Sequence, residues 1–169
     1  MTQEAFIKVL DEEGYSYEIE GDKIVVTHNG YVLLDSLTSL PPGVVFKNGG
    51  VVRLDSLTSL SPSVVFKNEG YVNLQSLTSL PSGVVFKNKG DVDLRSLTSI
   101  SPGVEFRNEG DIKLSALTSL PPGAEFKNGR DVYLGYLIGR WFKEWQGNIE
   151  GIASKRLLNV MIKQGVFER

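Results

Sequence analysis

The chain has 169 residues and an ordinary hydrophobic content of 41%, which suits one compact domain or one short solenoid. Its 18 lysines and arginines against 20 aspartates and glutamates give a net charge of −2, which argues against bulk electrostatic attraction to nucleic acid or an anionic membrane. The absence of cysteine excludes disulfides and thiolate metal sites. With neither a secretory signal nor a long apolar segment, we expect a soluble, cytoplasmic protein without membrane association.

Residues 1–30 predict an N-terminal cap that combines a helix with a β-hairpin. A short amphipathic helix is expected over residues 3–13. Strands at 15–20 and 23–28, on either side of a Gly-Asp turn, predict the hairpin. The second of these strands aligns in sequence with the end of the first repeat, so we interpret it as half of a coil. Such a cap covers a sheet edge that would otherwise pair with other chains.

From Tyr31 onward a 20-residue unit repeats five times without insertion, and a sixth copy keeps only its first half. The third copy, YVNLQSLTSLPSGVVFKNKG, has two short runs in which apolar and polar residues alternate, as in strands with one buried face. A unit this small cannot bury its apolar face alone, but stacked units pair through parallel ladders about 4.8 Å apart. We therefore predict a mainly β fold, a parallel β-solenoid of six coils over residues 31–140. The coils are numbered 1 to 6 from residues 31, 51, 71, 91, 111 and 131.

Stacking turns each repeat position into a row of residues, one from every coil. The polar rows with a constant residue are Asn48, Asn68, Asn88, Asn108 and Asn128, and Thr38, Thr58, Thr78, Thr98 and Thr118. Five identical residues cannot all form one active site. We interpret both rows as structural ladders that bond to their equivalents above and below, or to turn backbone.

The segment LTSLPPGVVFKN resembles leucine-rich repeats of the short bacterial kinds, the BspA-like type and the 20-residue repeats of bacterial effectors. The resemblance covers about residues 31–140 and extends to small repeat proteins encoded by phages and gut bacteria. It implies binding rather than catalysis, and in its sharpest form a phage or mobile-element inhibitor of a host defence protein, acting in the host cytoplasm. Asparagine follows phenylalanine by only two residues here, a departure that favours a flatter, β-helix-like solenoid.

Residues 141–169 predict a C-terminal cap. Ser154 can cap the N-terminus of a helix that runs to Gln164. Aromatic residues replace the second strand of coil 6 and are expected to plug the stack. They are Trp141, Phe142 and Trp145.

Two rows change from apolar to acidic along the stack. The outward position of the second strand is valine in coils 1 to 3 and glutamate in coils 4 and 5, and a neighbouring row changes from Tyr or Val to Asp. Because contiguous exposed apolar surface marks an interface, these rows are candidates for binding a protein partner. The alternative is that the N-terminal helix folds over the valines. The partner-binding candidates are Tyr31, Val45, Val65, Tyr71 and Val85.

A basic row lies beside the valines and consists of Lys47, Lys67, Lys87, Arg107 and Lys127. It could bind phosphate groups, but the interleaved aromatic residues that stack on bases are missing, so nucleic acid is the weaker hypothesis. The outward residues of the first strand differ in every coil. That face is either a specific binding surface or a solvated one.

The sequence contains no glycine-rich phosphate loop and no nucleophile elbow. Glu105 and Glu125 have the spacing of a carboxylate pair, but no aromatic sugar platform accompanies them. The aspartates of coils 4 to 6 lack a calcium-loop signature. We therefore predict a non-catalytic protein-interaction module without catalytic residues, metal or cofactor. The alternatives are a self-associating structural scaffold, possible as a homodimer, and, more weakly, a nucleic-acid backbone binder.

Overall fold

A computed structural model describes residues 1–121, 125–135 and 152–153. The chain forms a mainly β, parallel solenoid with a single helix in the described part, at its N-terminus. Coils 1 to 5 and the first strand of coil 6 are seen, at the predicted 20-residue spacing. The predicted fold class is confirmed. The described parts of coils 1 to 5 contain short strands and turns.

Helix α1 (Gln3–Glu12) closes the N-terminal end of the stack. Thr2 caps it, because the backbone N–H of Ala5 donates to the Thr2 hydroxyl oxygen at 3.2 Å. Phe6 and Leu10 are fully buried and belong to the core that runs through the solenoid. The helix therefore packs on the open end of the core, and the predicted cap helix is observed.

Strands β1 (Tyr17–Glu20) and β2 (Lys23–Val26) form an antiparallel hairpin. Strand β2 also pairs in parallel with β4 (Val44–Phe46), with Ile24 opposite Val44. The hairpin thus supplies the strand on which coil 1 stacks, as the sequence alignment of this segment predicted.

Coils 1 to 4 each contribute one strand to each of two long sheets, whereas coil 5 has an isolated parallel bridge from Phe126 to Phe106 in place of a second strand. Sheet 1 contains the first strands, β3 (Val32–Leu33), β5 (Val52–Arg53), β7 (Val72–Asn73), β10 (Val92–Asp93), β13 (Ile112–Lys113) and β14 (Val132–Tyr133). Sheet 2 contains β1, β2, β4, β6 (Val65–Phe66), β9 (Val85–Phe86) and β12 (Glu105–Phe106). A short third ladder pairs β8 (Ser79–Leu80) with β11 (Ser99–Ile100). From coil to coil the pairing is parallel, so residues twenty apart are spatial neighbours.

The core is a set of apolar rows that run the length of the stack. Its aromatic row has ring centroids 5.0–5.3 Å apart and interplanar angles of 3–16°. The rings are those of Phe46, Phe66, Phe86, Phe106 and Phe126. Each fully buried ring stabilises the fold by roughly 1.5–3 kcal/mol, so repetition of the row holds the coils together.

The asparagine and threonine rows bond to backbone. The Asn88 side-chain amide donates to the carbonyl of Gly70 in the preceding coil (3.1 Å) and to that of Gly90 in its own turn (2.8 Å). The hydroxyl of Thr98 donates to the carbonyl of Thr78 at 3.0 Å. Both expected kinds of partner are observed: the asparagine amides bond to turn backbone, and the threonine hydroxyls bond to the backbone carbonyl of the equivalent threonine in the preceding coil.

The C-terminal segment is described only at β15 (Ile152–Ala153), which pairs antiparallel with β14. The predicted aromatic plug at Trp141, Phe142 and Trp145 and the predicted helix from Ser154 to Gln164 lie outside the described residues. In the part of the chain that the structure describes, no helix is long and apolar enough to span a membrane.

Candidate interaction surface

The outer face of sheet 2 carries a row of valines that changes to glutamate at coil 4. The parallel register stacks, in order, Val25, Val45, Val65, Val85 and Glu105. The ladder continues normally at the glutamate, whose backbone N–H donates to the Val84 carbonyl at 3.0 Å. This outward position therefore tolerates a charged side chain, and stacking does not require valine there.

The row is not uniformly accessible. Val25 and Val45 are buried, with Val45 only 6% exposed, yet neither belongs to the continuous core. Val65 and Val85 are partly exposed. The buried side chains of helix α1, Phe6 and Leu10, lie in the core. Of the three predicted valines, Val45 offers little free surface, and the accessible part of the row is in coils 2 and 3.

The predicted basic row lies on the same outer face, two residues after the valines in each strand. Backbone bonds align its members, since Lys67 N–H donates to Phe46 O at 2.8 Å and Lys87 N–H to Phe66 O at 2.7 Å. All of its side chains are exposed. Three of them have a carboxylate partner: Lys47 with Glu20 (3.4 Å), Arg107 with Glu105 (2.8 Å) and Lys127 with Glu125 (2.6 Å).

Lys67 and Lys87 differ from the rest of the basic row. Neither has an ion-pair partner within the described residues. Glu69, the acid nearest to Lys67 in sequence, pairs instead with Lys89. We call Val65, Lys67, Val85 and Lys87 the coil 2–3 patch. It places two partly exposed valines beside two uncompensated lysines.

The predicted tyrosines do not join this patch. Tyr31 is 65% exposed and lies over the turn that ends its own coil, where a Cβ on Gly50 would be 2.5 Å from its ring. Tyr71 is half-buried, and its hydroxyl donates to Asp93 at 2.9 Å. Both residues immediately precede strands of sheet 1, outside the outer face of sheet 2.

Sequence reasoning missed a buried acid on the outer face of sheet 1. Asp93 is fully buried because Tyr71 and Arg95 both bond to it. Burial alone would raise the pKa of the Asp93 carboxyl, but the bonds from Arg95 and Tyr71 outweigh it and hold that pKa below its usual value. The spacing of 22 residues between Tyr71 and Asp93, one coil plus two, was the available signal.

The aspartate row of coils 4 to 6 is also structural. An Asp91 carboxylate oxygen accepts the backbone N–H of Asp111 at 2.9 Å, and Asp111 accepts that of Asp131 at the same distance. Across residues 1–121 and 125–135, no group of three or more metal-binding side chains is placed to hold an ion. This arrangement explains why aspartate recurs at the start of the strand.

Glu105 and Glu125 flank a surface cleft of about 260 Å³ between coils 4 and 5. Each carboxylate is held by the cation of its own coil, Glu105 by Arg107 and Glu125 by Lys127. The charges of the two carboxylates at the rim of the cleft are therefore neutralised by these two cations. The same pairs distinguish coils 4 and 5 from the coil 2–3 patch.

Comparison with protein-family models, with curated protein sequences and with solved structures finds no match for this chain. The resemblance to short leucine-rich repeats, of the BspA-like type or from phages, rests on the repeat motif. The surface of the solenoid is what remains to indicate a function.

Proposed function

We propose that the protein is a non-catalytic interaction module that binds a protein partner on the coil 2–3 patch. The observation that carries this proposal is the combination of partly exposed Val65 and Val85 with Lys67 and Lys87, which have no carboxylate partner among the described residues. The ladder accommodates glutamate at the valine position in coil 4. The fold therefore does not demand these valines, and an interface accounts for them.

Self-association is the first alternative, and the charges of the patch oppose it. A twofold interface uses the same surface on both copies. A contact centred on the patch would bring Lys67 and Lys87 of one copy towards the same lysines of the other, which is unfavourable between like charges. A different partner that contributes carboxylates has no such conflict.

Nucleic acid is the second alternative, and the ion pairs of the basic row weaken it. Three of its five cations already have carboxylate partners. The two lysines without a carboxylate partner among the described residues would release few counterions, giving a slope of about −2 in log K against log salt. That slope belongs to weak, non-specific binding.

An inhibitor of a host defence protein, encoded by a phage or mobile element, is a sharper form of the same proposal. It follows from the resemblance of the repeat to phage and gut bacterial proteins, and the cytoplasm is the compartment it implies. The coil 2–3 patch is compatible with any partner that has complementary chemistry.

The test replaces Val65→Glu together with Val85→Glu. Because Glu105 occupies the same row, we expect this variant to fold with little change in Tm. The matched control is Ser59→Glu with Ser79→Glu, which adds the same charge in the same coils at exposed positions on another side. Affinity capture from the native host, read by mass spectrometry and by size-exclusion mass, should lose a specific protein only with the valine variant. A valine variant that captures the same proteins as the control would contradict the proposal.

A further inference from the structure

The coil 2–3 patch has a charge pattern that identifies what its partner must supply. In coils 4 and 5 the outward residue before the cation is a glutamate that binds that cation. In coils 2 and 3 valine replaces it, so the ladder itself provides no carboxylate. The two lysines stand one strand spacing apart, about 4.8 Å at the backbone, and like charges directly opposite in a ladder are unfavourable.

A second observation points to the same part of the surface. Ser63 has a φ of 65°, whereas the equivalent turns use glycine, with φ of 78° at Gly43 and Gly83 and 83° at Gly103. A non-glycine residue is strained in this region, and such strain is concentrated at functional sites. Ser63 is exposed, lies two residues before Val65, and its hydroxyl would be 3.5 Å from a Cβ on Gly83. The strained turn therefore adjoins the patch.

The spacing of the patch indicates the conformation of what binds. Within each strand the valine and the lysine are two residues apart, about 6.7 Å along the chain. An extended segment has the same spacing between side chains i and i+2 on one face. One apolar side chain can then lie on the two valines while a carboxylate two residues away binds both lysines.

We infer that the partner presents an extended, acidic segment with an apolar residue and a carboxylate two positions apart, and that the turn at Ser63 borders its site. This inference rests on the proposed function and specifies its chemistry. A carboxylate shared by Lys67 and Lys87 removes their mutual repulsion and forms charge-assisted hydrogen bonds, which are stronger than neutral ones. Nucleic acid offers the negative charge but not the apolar side chain beside it.

The probe is a synthetic peptide that repeats Val-Ser-Glu-Ser three times. Its matched controls replace every Glu by Gln or every Val by Ala, and an oligothymidine of equal charge tests nucleic acid. NMR titration of the full chain should show shifts at Val65 and Val85 with the first peptide, and an affinity about tenfold weaker for the glutamine peptide. Lys67→Gln with Lys87→Gln should lose the preference for glutamate. Lys8→Gln with Lys23→Gln, an equal change at exposed lysines elsewhere, should keep it.

The variant Ser63→Gly tests whether the strained turn contributes to binding. It should raise Tm, because glycine adopts positive φ without strain, and it should weaken binding of the Val-Ser-Glu-Ser peptide severalfold. Equal binding of the glutamate and glutamine peptides, or no binding of either, would overturn the proposal that the partner is acidic. Tighter binding of oligothymidine, abolished by the Lys67 and Lys87 changes, overturns it in favour of nucleic acid. The proposed function fails separately, if the Val65→Glu and Val85→Glu variant retains its partner.

Discussion

Asp93 shows how one coil differs chemically from its neighbours while the frame stays constant. The equivalent outward positions in the adjacent coils hold Asn73 and Lys113, both partly exposed, whereas Asp93 is fully buried. Its carboxylate is covered by Arg95 from its own coil and by the Tyr71 hydroxyl from the coil before. A buried carboxylate with these two partners is stabilised in its charged form.

Asp93→Asn should therefore change the acid dependence of stability. Because the folded pKa of Asp93 lies below its unfolded value near 4, the carboxylate stabilises the fold at all pH values above about 4. That contribution is lost as the pH falls through the folded pKa. At pH 7 the variant should have a free energy of unfolding lower by about 1–3 kcal/mol, and the gap should narrow towards pH 2.

Urea denaturation of both proteins between pH 2 and pH 7 measures this gap. Tyr71→Phe removes one of the two partners of Asp93. It should lower the free energy of unfolding at pH 7 by less than Asp93→Asn does. Curves for wild type and Asp93→Asn that stay parallel over the whole range would show that Asp93 is not stabilised as a buried carboxylate.

At the scale of single residues, the sequence predicted which way a side chain points better than it predicted how exposed that side chain is. Alternation within a strand correctly pointed Val45, Val65 and Val85 away from the core side chains Val64 and Phe66. It could not show that Val45 is buried while the next two are partly exposed, because exposure depends on what neighbouring elements cover. The pairing of Tyr71 with Asp93 was missed, although their spacing of one coil plus two residues places them in adjacent coils.

At the scale of elements, the first strand of sheet 1 has an edge that must be closed. Strand β3 pairs with β5 on one side only. On its other side Leu33 N–H donates to the Tyr15 hydroxyl oxygen at 2.9 Å, and that hydroxyl donates to the Leu33 carbonyl at 3.3 Å. One side chain thus satisfies both backbone groups that would otherwise be open to another strand.

Tyr15→Phe should remove this protection. The loss of two hydrogen bonds predicts a decrease in the free energy of unfolding of about 1–2 kcal/mol, and the exposed edge of β3 predicts stronger concentration-dependent association. Tyr17→Phe is the control, because its hydroxyl bonds only to the side chain of Asp11 among the described residues. Denaturant unfolding and light scattering measure the two effects. Identical association of the two variants would show that Tyr15 does not guard the edge.

The hairpin before coil 1 was accessible from sequence because β2 aligns with β4. The residues that seal the edge were not, since nothing in the sequence near Tyr15 indicates that its hydroxyl reaches Leu33. Local pattern predicts which segments form strands and turns. Contacts between the cap and the first coil depend on how the two pack.

At the scale of the whole molecule, exact repetition made the fold predictable. Each coil adds the same ladder bonds and the same set of buried side chains, so the arrangement of a single coil fixes that of the others. The rows that hold the same residue in every coil reveal no function, because they stabilise the stack. The candidate site lies in coils 2 and 3, beside the point where the row changes from Val85 to Glu105, and only the ion pairs in the structure distinguish Lys67 and Lys87 from the rest of their row.

The central claim is that residues twenty apart lie side by side and build one surface across coils 2 and 3. Lys67→Cys with Lys87→Cys tests it directly, because the chain has no other cysteine and a backbone separation of about 4.8 Å permits a disulfide. Lys67→Cys with Arg107→Cys spans two coils, about 9.6 Å, which is too far for a disulfide. Under mild oxidation of the native protein, thiol counting should find the first pair cross-linked within the chain and the second reduced, while both pairs cross-link in denaturant. A native protein in which the first pair stays reduced, or in which both pairs react alike, would contradict the account.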